Sequence, residues 1–124
     1  MSEDISNLPP QVQERLLRHQ QLQQTLQSVL AQKQQVEREL SETEQTMNEL
    51  QKLTDDAVMY KATGSLLIRT EKAKVLPELT ERKELLGTRV TVLTKQEERI
   101  RTQLKEVQTK LQQDLNPVAP PPSP

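Results

Sequence analysis

The sequence predicts a mainly α protein: a long antiparallel coiled-coil hairpin of two helices, with a central β-hairpin at the bend through which copies assemble. Three observations predict it. Two long segments carry apolar residues alternately four and three positions apart. A short insert near the middle, residues 54–70, holds the only Tyr (Tyr60) and one of the two Gly (Gly64). Hydrophobic residues make up 32% of the 124, too few for an ordinary globule, in which about 45–50% is usual.

Helix one is expected over about residues 9–53. Pro9 and Pro10 suit a helix start, where the first N–H groups have no partner within the helix. From Gln11 to Leu53 there is neither Gly nor Pro, and Gln, Glu, Leu, Lys and Arg dominate; all are good helix formers. The seam runs through Leu22, Leu26, Val29, Lys33, Val36, Leu40, Thr43, Met47 and Leu50, of which seven of nine are apolar. A stripe this narrow serves one partner and leaves the other faces wet.

Helix two is expected over about residues 75–115, starting between Val75 and Pro77 with Pro77 in its first turn. Its seam is Leu79, Lys83, Leu86, Val90, Leu93, Glu97, Ile100, Leu104, Val107 and Leu111, eight of ten apolar. Residues 87–94 contain Gly87 and several β-branched side chains and partly alternate like a strand. They are read as helix because Leu86, Val90 and Leu93 keep phase with the heptads on both sides. The tail, residues 116–124, is rich in Pro, cannot continue a helix, and is expected to be a disordered polyproline-like end.

Folding the chain back near residue 65 pairs positions whose numbers sum to about 129–130. Val29 then meets Ile100, Val36 meets Leu93, Leu40 meets Val90 and Leu50 meets Leu79. Lys33 meets Glu97, so the polar interruptions of the two seams coincide with opposite charge. Such a layer fixes register while adding little net stability. This favours an intramolecular hairpin over a parallel dimer.

The β-hairpin region is expected at about residues 54–72. Val58, Met59 and Tyr60 form one β-prone run and Leu66, Leu67 and Ile68 another, with a turn at Thr63-Gly64 or Gly64-Ser65. A lone two-stranded hairpin is marginal in water and leaves both edges unpaired. Three consecutive aliphatic residues put apolar side chains on both faces of the second strand, because strand side chains alternate. Val58, Tyr60, Leu66, Leu67 and Ile68 are therefore candidate oligomerisation residues, pairing hairpins from several subunits into a shared sheet or barrel.

The run D-D-A-x-x-Y-K-x-x-G-x-L-L-I is carried by Asp55, Asp56, Ala57, Tyr60, Lys61, Gly64, Leu66, Leu67 and Ile68. It follows the opening residues 8–13 and a Gln-rich helix, and it precedes a second coiled-coil helix. In this arrangement the chain closely resembles the β-type subunit of prefoldin, in particular the archaeal form, from Leu8 to about Leu115. The resemblance implies a hexamer of two α-type and four β-type subunits whose β-hairpins form an oligomeric β-barrel platform. It also implies an ATP-independent chaperone that holds non-native client proteins and passes them to a group II chaperonin. Pro77 and Gly87 are unusual for so regular a helix, and the Pro-rich tail lies outside the family pattern. The domain reading is one unit over residues 1–115 followed by the tail.

At the free ends, Leu8, Val12, Leu16 and Leu17 of helix one lie near Val107, Leu111 and Leu115 of helix two. They are the candidate client-binding tips. One tip binds weakly, since each buried methylene contributes about 0.8 kcal/mol; several presented together gain through effective concentration.

Other functions find little footing. His19 is the only His, there is no Cys, and His19 continues the helix-one seam opposite Leu111. Acids are scattered over solvated faces without metal spacing, and Gly64-Ser65 lacks a phosphate-loop pattern. No cofactor and no enzymatic activity are expected. Charges balance, 17 basic against 18 acidic for a net of −1, so neither nucleic acid nor an anionic membrane is an expected partner. No apolar run reaches the roughly 18–20 residues of a membrane span, and the N-terminus has no signal-peptide core, which makes the cytoplasm the expected location. The competing reading is a tethering coiled-coil adaptor that assembles in the same way but binds no client.

Overall fold

The computed structural model describes residues 7–115. The element order is α1 (Pro10–Gln51), β1 (Met59–Thr63), β2 (Leu66–Thr70) and α2 (Lys72–Leu115). The chain divides into two compact units. One holds α1 up to Ala31 and α2 from Thr94 onward; the other is Gln32–Leu93.

α1 begins as its prolines direct. The carbonyl of Pro9 accepts from the amides of Val12 and Gln13, each at 3.0 Å, and the Gln13 side-chain amide donates to Leu8 O at 2.7 Å. These bonds satisfy donors and acceptors that a helix start otherwise leaves open. At the other end the helix tightens before stopping. Lys52 N donates to Glu49 O at 3.2 Å and Leu53 N to Leu50 O at 3.1 Å, three-residue bonds typical of a last turn.

α2 starts earlier than its proline suggests. The carbonyl of Glu71 accepts from Lys74 N at 3.0 Å and Val75 N at 3.1 Å, so the first helical residue is Lys72 and Pro77 falls inside the helix. This corrects the expected start near residue 75. Pro77 forgoes its own N–H bond and crowds the carbonyl of Ala73, a local cost near the helix start, while Lys72, Ala73 and Lys74 are good helix formers that add a further turn. Residues 87–94 are helical, as the seam phase requires.

Inside each unit the two helices pack along their seams. In the first unit Val12, Leu22, Val29, Ile100 and Leu111 are buried; in the second, Val36, Leu50, Leu86 and Leu93. Buried Thr43 continues the seven-residue row of Leu22, Val29, Val36 and Leu50, and its hydroxyl donates to Glu39 O at 2.8 Å. Leu26, Lys33, Leu40 and Met47, the alternate row, are half-buried. Even the best-covered apolar residue, Leu93, keeps 4% of its surface exposed. Among the described residues packing is a single seam, with no deeper core.

β1 and β2 form one antiparallel pair, with Met59 opposite Thr70 and Thr63 opposite Leu66. The connection is therefore Gly64-Ser65, which resolves the turn. Gly64 has φ +60° and no other described residue has positive φ, the pattern of a type II′ turn with Gly first. Val58, expected within the first strand, precedes it. β1 instead extends to Thr63, because pairing with β2 draws Lys61 and Ala62 into the sheet regardless of their weaker preference, and β-branched Thr63 closes the ladder opposite Leu66.

Candidate assembly and client surfaces

The hairpin has two unlike faces. Side-chain alternation and the register put Met59, Lys61, Thr63, Leu66, Ile68 and Thr70 on one face, and Tyr60, Ala62, Leu67 and Arg69 on the other. The first face is tied to α2, since Lys61 Nζ donates to Glu78 Oε2 at 3.0 Å. Met59 and Thr70 on it are half-buried. The second face has Tyr60 62% exposed and Leu67 73% exposed. Leu66 and Ile68 are also largely uncovered, as is Val58.

The base of the hairpin is clamped by Lys72. Its ammonium donates to Leu53 O at 2.9 Å and lies 3.8 Å from Asp55 Oδ1. The side chain is only 15% exposed, so one cation joins the end of α1 to the start of α2. Asp56, fully exposed, is held below the ordinary carboxylate value of 3.8, first by a hydrogen bond from Thr54 and then by one from its own backbone. Both favour the ionised form.

The residues expected at the free ends fall into three groups. Val12 and Leu111 are buried, Leu8, Leu16 and Val107 are half-buried, and Leu17 and Leu115 are exposed. Leu111 and Leu115 line a groove with His19, Gln108 and Gln112. His19 Nε2 is buried there without a hydrogen-bond partner. In the same unit Arg15 Nη1 donates to Asp114 Oδ2, a pair absent from the sequence reading. Its signal was available: one heptad before Leu22 is residue 15, and one heptad after Val107 is residue 114.

Lys33 and Glu97 are both partly buried. Lys33 Nζ lies 4.0 Å from Glu37, and Glu97 accepts from Arg101 Nε at 2.9 Å. Among the described residues no group of three or more His, Cys, Asp or Glu could hold a metal ion, and no helix is long and apolar enough to cross a membrane.

Known proteins share both the sequence and this arrangement. A family model described as "Prefoldin subunit" matches residues 13–117. Prefoldin subunit beta of Archaeoglobus fulgidus is 47% identical over 115 residues, 93% of this chain and 99% of the relative. That of Pyrococcus furiosus is 44% identical over 113 residues, 91% and 97% of the two chains.

The chain belongs to the prefoldin subunit family.

The crystal structure of the prefoldin beta subunit from Thermococcus strain KS-1 aligns with a TM-score of 0.80 and 41% identity, covering 93% of this chain and 98% of that one. Prefoldin is a non-enzymatic chaperone family, so this prefoldin subunit is not an enzyme. Prefoldin subunits form oligomers with other prefoldin subunits.

Proposed function

We propose that this prefoldin subunit joins α-type and further β-type subunits through its hairpin, in a hexamer of two α and four β, and that the assembly holds non-native proteins and delivers them to a group II chaperonin. The observation that carries the reading is Leu66, Leu67 and Ile68, three consecutive exposed aliphatic residues on a strand with an unpaired edge. Covering them removes apolar area from water and completes the ladder. Val58 and Tyr60 belong to the same surface.

Client binding is assigned to the free ends, with Leu17 and Leu115 as the side chains that touch client first. Val12, Leu111, Leu8, Leu16 and Val107, which are buried or half-buried, complete the proposed site. No nucleotide is needed, because holding depends on several weak apolar contacts presented together. The cytoplasm is the proposed location.

A second reading, a tethering adaptor without client binding, draws on the burial of Val12 and Leu111, which leaves less apolar surface at the ends. Aggregation of a denatured test protein separates the two, measured with this subunit alone and with an α-type partner. Suppression supports the chaperone reading; no suppression in either case leaves the adaptor.

A further inference from the structure

Beside the hairpin, the loop before β1 and the start of α2 enclose a cleft of about 280 Å³ lined by Asp55, Asp56, Val58, Arg69, Glu71 and Lys74, among others. Most of its charges are matched within the chain. Glu71 and Lys74 pair at 3.7 Å, and Asp55 lies 3.8 Å from Lys72. Two are not. Asp56 accepts only from its neighbour Thr54 and its own backbone, so its negative charge meets no cation. Arg69, opposite Tyr60 in the ladder, makes no hydrogen bond or ion pair among the described residues.

Arg69 shares its sheet face with Tyr60, Ala62 and Leu67, a face on which Tyr60 and Leu67 are left exposed among the described residues. An apolar patch bordered by charges is the anatomy of an interface, with a dry centre and a polar rim. One unmatched cation and one unmatched anion on the same rim complement a second copy of the same surface. When two copies meet on it, the cation of each can meet the anion of the other. A ligand of one charge would leave the other group unanswered.

We propose that this cleft is the polar rim of a contact between two copies of this chain, in which Arg69 of one copy pairs with Asp56 of the other. The proposal rests on the reading of the hairpin as the assembly element and adds to it the pair that selects the partner. Like charges brought together at such a rim oppose association, so the pair also rejects misaligned contacts.

The test is sedimentation of the full chain as wild type, as Arg69→Asp, as Asp56→Arg, and as an equal mixture of the two variants. Each variant alone sets like charges against each other, and its dissociation concentration should rise about tenfold. In the mixture, Asp at 69 in one copy meets Arg at 56 in the other, and assembly should return to the wild-type range. Circular dichroism should show unchanged helicity throughout, since neither residue lies in α1 or α2.

A mixture that assembles no better than either variant, while wild type assembles, overturns the pair and leaves the hairpin reading standing. Unchanged assembly of both single variants does the same. A loss seen only when an α-type subunit is present assigns the rim to that partner and overturns the second-copy contact. A wild-type chain that forms no oligomer alone overturns this contact, and failure to assemble with an α-type subunit as well removes the hairpin reading beneath it.

Discussion

Arg15 on α1 donates to Asp114 on α2 across 99 positions of sequence, and the two residue numbers add up to 129. Every Cα pair in the hairpin has the same sum, from Met59 with Thr70 to Thr63 with Leu66. Within its own unit, each matches the sum of about 129–130 that the two seams predict. The side chains are 25% and 21% exposed, so each loses some hydration, and the pair contributes more to alignment than to net stability. Arg15→Ala and Asp114→Ala should each lower stability by about 1 kcal/mol. The double variant should lose clearly less than the sum. Chemical denaturation of the four proteins measures this; strict additivity would show that the two side chains do not interact.

The two glycines should respond to Ala in opposite directions. A Cβ at either would meet nothing within 4 Å, so space plays no part and backbone conformation decides. Gly64 sits at φ +60°, where a side chain costs roughly 1–2 kcal/mol, and Gly64→Ala should weaken the hairpin. Gly87 lies inside α2, where Ala is preferred over Gly by about 1 kcal/mol, and Gly87→Ala should raise the melting temperature. Both substitutions shifting the same way would contradict the assigned conformations.

His19→Leu should stabilise the client end. Its Nε2 is buried without a partner, and an unsatisfied polar atom of this kind costs about 1–3 kcal/mol. Leu fits the seam that His19 continues. Hydrogen exchange should show slower opening around Val12 and Leu111, with little change near Leu50 and Leu86. Unaltered protection at the end would mean that the ring nitrogen is satisfied in solution.

Asp56 gives a pH signature at the hairpin base. Its folded pKa lies below the ordinary 3.8, so its support for the loop is fully present above that value and is lost as pH falls through the folded pKa. Thr54→Val removes the largest cause of the shift and should raise the carboxyl's titration midpoint toward 3.8, followed by NMR. A midpoint unchanged in the variant would assign the shift to the backbone alone.

Much of this was legible in the sequence, and what was not has physical causes. The seams could be read because Leu22, Val29, Val36 and Leu50, and then Leu86, Leu93 and Ile100, repeat every seven residues, and burial follows the same rows. The strand limits were not, because Lys61 and Ala62 join β1 through pairing with β2 and not through their own preference, which hides the continuation to Thr63. The start of α2 was misplaced because Pro77 draws attention to a first turn, whereas the carbonyl of Glu71 accepts the first helical bonds. The Arg15–Asp114 pair is not legible from apolar periodicity, because both side chains are charged and interrupt the seam pattern. The depth of Val12 and Leu111 could not be read at all, since heptad position alone does not distinguish a buried end from an open one.

The central claim is that the hairpin is an assembly surface, and sedimentation of Leu67→Asp beside wild type tests it most directly. Leu67 is 73% exposed in the single chain, so the charge should leave the helices intact. At an apolar contact it should abolish the oligomer, because an unpaired carboxylate there would be buried without compensation. The account predicts oligomeric wild type, alone or with an α-type partner, and a monomeric variant of unchanged helicity. A variant that sediments as the same oligomer as wild type would contradict it.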